Sequence, residues 1–263
     1  WHFEIGWTAA TLAAFLVLFV WGASIYIWLF QAPPGDLEVY VVAKQWMWKV
    51  QHPGGQREID ALHVPVNKTV RLVMASEDVI HSFFVPAFRI KHDVVPGTLE
   101  TIWFKADKTG VFRFECTQYC GLQHATMGGK VVVMTPTNYA KWLSSQGVHE
   151  SLAEQGEKLF RAHGCSGCHG ANASVHAPDL DGIYGRLVHL SDGSTVIADD
   201  RYIQDSILLP DKQVVAGYAP IMPSFAGQIS ASDLLALITY LKSTSAKTSQ
   251  PPATGSESTH GRH

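Results

Sequence analysis

Four cysteines occur as two pairs, and each pair sits among other metal-ligating residues. The first stretch reads Cys116-Thr-Gln-Tyr-Cys120-Gly-Leu-Gln-His124-Ala-Thr-Met127, and the second reads Cys165-Ser-Gly-Cys168-His169. Two thiolates four residues apart, an imidazole four further on and a thioether three beyond put soft and borderline donors on one short loop. That set favours copper over calcium or magnesium. Two sulfurs rather than one point to a pair of copper ions bridged by both. A further donor is expected from a separate strand. His81, in the apolar run Val-Ile-His-Ser-Phe-Phe-Val-Pro, is the candidate, because a buried imidazole needs a partner. Zinc held by two Cys and two His, or a copper-delivery protein of thioredoxin type, would also use the Cys-x3-Cys pair, but neither calls for Met127.

Cys-x-x-Cys-His is the spacing at which two thiols add to the vinyl groups of a haem and the histidine binds its iron. Cys165, Cys168 and His169 are therefore expected to hold one covalent haem c. Once both signatures are filled, no cysteine is left for a disulfide. Met222, in Ala-Pro-Ile-Met-Pro-Ser-Phe, is the sole methionine after His169 and the expected opposite axial ligand, with His176 and His189 as alternatives. A His/Met pair raises the reduction potential, which suits a carrier that feeds a strong oxidant.

The elements that must position these residues fall into three parts. Residues 5–30 contain no Asp, Glu, Lys or Arg, and as a helix would span roughly 39 Å, enough to cross a bilayer. Trp7, Trp21, Tyr26 and Trp28 lie toward its two ends, where amphipathic rings meet headgroups. A signal peptide would have a shorter apolar core and a basic start. Haem is attached to Cys-x-x-Cys-His outside the cytoplasm, so the bulk of the chain is expected on the periplasmic or exterior face of a bacterial inner membrane. After a turn at Pro33, Pro34 and Gly35, residues 38–50, 69–74, 99–104, 111–115 and 130–134 read as strands of a β-sandwich. Helical patterns follow at 139–145, at 152–163 and after a Ser230 cap with Asp233 three residues on. The Ser, Thr, Pro and Gly content beyond Thr244 predicts a disordered tail.

The expected organisation is multidomain: a transmembrane helix and exit turn (1–36), a cupredoxin-like β-sandwich (37–136), a linker with a short helix (137–148), an all-α cytochrome c domain (149–245) and a tail (246–263). Net charge is +1 over residues 1–148 and -4 over 149–263. The acidic haem half could steer a basic donor. No internal repeat or nucleotide-binding loop occurs, and no nucleic-acid partner is expected.

The stretch HSFFVPAFRIKHDVVPGTLETIWF followed by FECTQYCGLQHATMGGKVVVM, with Gln45-Trp-Met-Trp, resembles the dinuclear copper (CuA) domain of subunit II of haem-copper oxidases over residues 37–136. The resemblance implies His81, Cys116, Cys120, His124 and Met127 as side-chain ligands, with Gln118 lending its backbone carbonyl. It implies that electrons reach the copper through Trp46, and that Arg89 and Asp93 face the catalytic subunit. Where Gln118 stands, many members carry a Glu that helps hold magnesium, which puts that site in doubt here. Glu4, just before a single membrane helix, resembles the Glu at a proton-channel mouth in the b-type branch; a favourable contact with the helix dipole explains it equally. Residues 149–245 resemble a class I cytochrome c, with Gly156, Phe160 and Tyr240 placed like that family's crossing helices.

Together these imply the subunit II of a caa-type oxidase, passing electrons from a donor through haem c to the copper pair and on to a haem in catalytic subunit I, where oxygen is reduced and protons are translocated. Further small membrane subunits and a cytochrome c or quinol-oxidising complex as donor are the other implied partners. The small subunit of a copper-containing nitric oxide reductase would share this layout. A copper-delivery or assembly protein would gain nothing from the haem. Asn172-Ala-Ser174 fits a glycosylation sequon, and His52, His63 and His92 read as surface or core histidines.

Overall fold

The computed structural model describes every residue except 32, 34, 148, 149, 171, 172, 174 and 249–263. The sequon and most of the expected tail lie outside the described residues. The charge-free run lies in α1 (His2–Phe30), none of it buried, which is long and apolar enough to cross a membrane.

Ten strands follow: β1 (Leu37–Lys44), β2 (Met47–Gln51), β3 (Arg57–Ile59), β4 (Ala61–Pro65), β5 (Thr69–Ser76), β6 (His81–Val85), β7 (Ile90–Val94), β8 (Glu100–Lys105), β9 (Gly110–Cys116) and β10 (Gly128–Met134). One sheet has the order β3-β2-β1-β5-β8 and the other β4-β10-β9-β6-β7. Between them lies a dry core of Val39, Val41, Leu62, Leu72, Met74, Phe83, Phe114 and Val131, centred on Trp48, whose ring meets Phe83 and Phe114 edge-on. The stretch 38–50, expected as one strand, instead folds back at Gln45 and Trp46 into the antiparallel pair β1–β2, with Lys44 opposite Met47. The apolar run of β1 passes into the alternating β2 without a Gly or Pro between them, so the turn is hidden in the pattern.

The sandwich is fastened at both ends of its sequence. The Trp103 indole on β8 donates to the Leu29 carbonyl in the last turn of α1 at 3.0 Å, and Trp28 meets Trp103 edge-on. After β10, Thr135 caps α2 (Pro136–Ser145), whose Tyr139 hydroxyl is hydrogen-bonded to the buried His52 ring at 3.0 Å and whose Trp142 stacks on His63. Glu58 joins the His52 and His63 rings from between. His92 pairs with Glu100. All three histidines have protein partners.

The C-terminal region contains α3 (Leu152–Ala162), α4 (Cys165–His169), a hairpin of β11 (Leu187–His189) and β12 (Thr195–Ile197), α5 (Asp200–Leu208) and α6 (Ala231–Thr248). It is helical, with the small hairpin as an addition to the expected outline. Ser151 and Glu154 form a reciprocal capping box that starts α3. The helices α3 and α6 cross at Gly156, where a Cβ would fall 2.0 Å from the Ala236 carbonyl oxygen, so only glycine permits this approach. Phe160 and Tyr240 pack beside the crossing, ring centroids 5.4 Å apart. α6 runs through Thr248, beyond the expected end of order at residue 245.

Candidate metal centres

The copper candidates converge at one end of the sandwich. β6 delivers His81, β9 ends on Cys116, and the loop to β10 carries Gln118, Cys120, His124 and Met127. The loop is clamped at its neck, where the Cys116 N–H donates to the Met127 carbonyl at 2.9 Å. The Sγ atoms of Cys116 and Cys120 lie 3.8 Å apart as free thiols. His81 Nδ1 is 3.9 Å from Cys116 Sγ, His124 Nδ1 is 3.6 Å from Cys120 Sγ, and Met127 Sδ is 3.7 Å from Cys120 Sγ. The Gln118 carbonyl lies 3.3 Å from Cys116 Sγ, while its amide side chain is exposed. All six expected donors thus share one pocket, and His81, Cys116 and Cys120 alone form a buried cluster able to hold a metal ion.

The electrostatics of the pocket fit a cation. Burial works against ionisation of Cys116, but hydrogen bonds from the His81 ring, the Ser82 and Gln118 backbone and the His124 ring bring its thiol down to about 6. Burial and the neighbouring Cys116 sulfur push Cys120 up to about 12. Two thiolates this close repel each other, and positive charge between them would release the second proton.

Surrounding groups hold the donors. Asp78 accepts from His81 Nε2 at 2.8 Å, from the Gln45 N–H at 2.7 Å and from the Val79 N–H at 2.7 Å, which leaves His81 Nδ1 facing the sulfurs. The β1–β2 turn supplies two more contacts: Gln45 Nε2 and Trp46 Nε1 both donate to the Cys120 carbonyl, at 2.8 and 3.1 Å. Asp78 and Gln45 were not among the sequence candidates. The signals available were an Asp three residues before the candidate His and a Gln beside Trp46. Glu4 lies in the first turn of α1, exposed.

The second centre is a cleft of about 420 Å³ between α4, α5 and the loop that carries Met222. Cys165, Cys168, His169 and Met222 all line it, among Leu180, Ile203 and Phe225. His169 Nδ1 is hydrogen-bonded to the Pro178 carbonyl at 2.8 Å, which turns Nε2 toward the cleft and fixes the tautomer a metal requires. The cleft is largely apolar, as a porphyrin face needs. Of the alternative axial ligands, His176 lines the cleft with its ring stacked on Tyr218, whereas His189 faces Thr195 on the hairpin, outside it.

Residues 38–135 match the family described as cytochrome c oxidase subunit II, periplasmic domain, and residues 153–245 match cytochrome c. Residues 38–135 are thus similar to a cytochrome c oxidase subunit II periplasmic domain, and residues 153–245 to a cytochrome c domain. The chain is 29% identical over 257 residues to cytochrome c oxidase subunit 2 of Alkalihalophilus pseudofirmus, covering 91% of this chain and 72% of that one. With subunit 2 of Cereibacter sphaeroides the identity is 30% over 179 residues, covering 53% of this chain and 59% of the relative, so less than two thirds of that relative is spanned. The crystal structure of the periplasmic domain of subunit II (CoxB) of Bradyrhizobium japonicum is 34% identical, covers 44% of this chain and 96% of its own, and superposes with a TM-score of 0.43. A subunit II copper domain and a cytochrome c domain on one polypeptide give this chain a role in electron transfer within an oxidoreductase complex.

Proposed function

We propose that this chain is the electron-accepting subunit of a membrane terminal oxidase, anchored by α1 with both metal domains on the periplasmic or exterior side of a bacterial inner membrane. Loaded, the haem and the copper pair supply one-electron redox chemistry that carries electrons from a donor such as a cytochrome c or a quinol-oxidising complex to the oxygen-reducing haem of a partner catalytic subunit. Cys116, Cys120, His81, His124, Met127 and the Gln118 carbonyl would hold the copper pair, which would supply one-electron redox chemistry there. Asp78 holds the His81 ring in place, and Trp46 lies against the Cys120 carbonyl where its indole connects the ligand loop to the surface. Cys165 and Cys168 would tether the haem, His169 would bind its iron through Nε2, and Met222, which lines the same cleft, would supply the other iron ligand. Glu4 stands at the start of α1, where it can hand protons to the catalytic subunit. Arg89 and Asp93 lie on the side of the sandwich that carries β7 and face that subunit.

The observation that carries this reading is the convergence of two thiols, two imidazole Nδ1 atoms, a thioether and a carbonyl at one end of the sandwich, together with a largely apolar cleft that gathers Cys165, Cys168, His169 and Met222. The test is to purify the intact complex from membranes, supply ascorbate with a mediator, and compare oxygen uptake with nitric oxide uptake. Rapid cyanide-sensitive oxygen uptake is expected. Fast nitric oxide consumption with negligible oxygen uptake would move the chain to a nitric oxide reductase.

A further inference from the structure

The two metal domains of this chain do not merely follow one another. Tyr40 and Val42 of β1 and Val73 and Ala75 of β5 point away from the sandwich core, yet all are buried, because Leu152 of α3 and Leu235 and Ala236 of α6 cover them. Beside this apolar patch sits a closed ring of four charges, two from each domain. Arg71 donates to Glu38 of its own domain at 2.9 Å and across the border to Asp200 at 3.1 Å. Lys242 donates across the border to Glu38 at 2.9 Å, and its Nζ lies 2.8 Å from Asp200 Oδ1 of its own domain, as an ion pair rather than an aligned hydrogen bond. Tyr40 adds a hydroxyl to Glu38 at 2.6 Å, and the Tyr184 ring lies under the Lys242 ammonium. At the margins the Gln204 side chain bonds the Gly97 carbonyl and the Leu99 N–H, and Ser232 at the start of α6 donates to Glu77 at 2.7 Å. Glu77 is the neighbour of Asp78, which holds the His81 ring.

An apolar patch is non-directional and by itself sets register only weakly. The ring fixes it. Each cation must touch both carboxylates, and displacement of either domain by the width of a side chain leaves a half-buried charge unpaired. We propose that Glu38, Arg71, Asp200 and Lys242 are positioning residues that lock the cytochrome c domain into one seat on the outer face of the copper domain, so that haem and copper exchange electrons in a fixed geometry and not after a search on a tether. This rests on the reading above that electrons pass between the two centres of this chain.

Two measurements on the intact holo-complex test it, with Lys242→Met as the variant and Lys212→Met as the control, because Lys212 pairs with Asp205 inside the haem domain only. The first is the distance distribution, by pulsed electron paramagnetic resonance, between genetically encoded spin labels on the exposed positions Lys108 and Arg186. The second is the rate of haem-to-copper electron transfer after photoreduction of the haem, taken against solvent viscosity. The intact protein and Lys212→Met should give one narrow distance and a viscosity-independent rate. Lys242→Met should give a broad distribution and a rate about tenfold slower that falls as viscosity rises, with the haem spectrum unchanged. A broad distribution already in the intact protein, or a narrow one kept in Lys242→Met, would overturn the lock. Absence of any haem-to-copper transfer in the intact protein would instead remove the electron-transfer reading, while the distances would still decide whether the seat is fixed.

Discussion

Asp78 turns a histidine into an oriented donor: with its carboxylate on Nε2, the His81 ring presents Nδ1 to Cys116. Asp78→Ala is therefore expected to weaken copper binding by roughly 10- to 100-fold, read by competition against a chromophoric chelator, with the haem absorbance as internal control. Undiminished affinity would show that packing alone orients the ring. Met222→Ala separates tether from ligand. The haem should stay covalently attached through Cys165 and Cys168, while the reduced iron gains an open position that binds carbon monoxide. Failure to bind it would point to His176 across the same cleft. At this scale the sequence is most legible, because metal chemistry demands particular atoms at particular spacings and the loop from Cys116 to Met127 keeps them within twelve residues. The supporting contacts were less visible. Nothing in the local spacing ties Gln45 to Cys120, which lies 75 residues away and meets it through the fold.

Gly156 carries the largest consequence at the scale of elements. A methyl group there would meet the Ala236 carbonyl at 2.0 Å and the Tyr240 Cβ at 2.7 Å, backbone and rigid stem rather than flexible tips. Gly156→Ala should force α3 and α6 apart and destabilise the haem domain by about 1–3 kcal/mol, seen as a lower midpoint in thermal unfolding followed at the haem while the sandwich transition stays put. An unchanged midpoint would mean that the helices relax without loss. Strand β1 shows what the pattern held and what it hid. Its run Val39-Tyr-Val-Val-Ala is apolar at every position, where a strand with one wet face would alternate, and both faces are indeed covered. The pattern announces a second cover without naming it. The α5 helix is absent from the helical patterns read in the sequence, although Asp199 caps it and Tyr202, Ile203, Ser206 and Ile207 recur at helical spacing on the side that lines the haem cleft.

The charge ring belongs to the whole molecule, and its titration has two edges. Burial alone would raise the Glu38 carboxyl, but Lys242, the Tyr40 hydroxyl and Arg71 hold it below its ordinary 4.5. Burial would lower the Lys242 ammonium, but Asp200, Glu38 and Tyr184 raise it above its ordinary 10.5. The depressed carboxyl contributes stability that is present above pH 4.5 and lost as pH falls through the lower folded value. The raised ammonium contributes stability that is complete below pH 10.5 and lost as pH rises through the higher folded value. Docking should therefore hold level between these limits and loosen beyond either, which hydrogen exchange at the Leu99 amide, bonded across the border to Gln204, would follow. A smooth decline through neutrality would contradict it. The bond from Trp103 to the Leu29 carbonyl has a different reach, because it makes the membrane helix an angular gauge for everything above it. Each residue of a helix advances about 100° and 1.5 Å, so a single insertion before Leu29 would carry that carbonyl around to another side and swing the sandwich, copper loop and haem cleft together about the bilayer normal. The compass bearing of both redox centres is thus written in the residue count of the anchor.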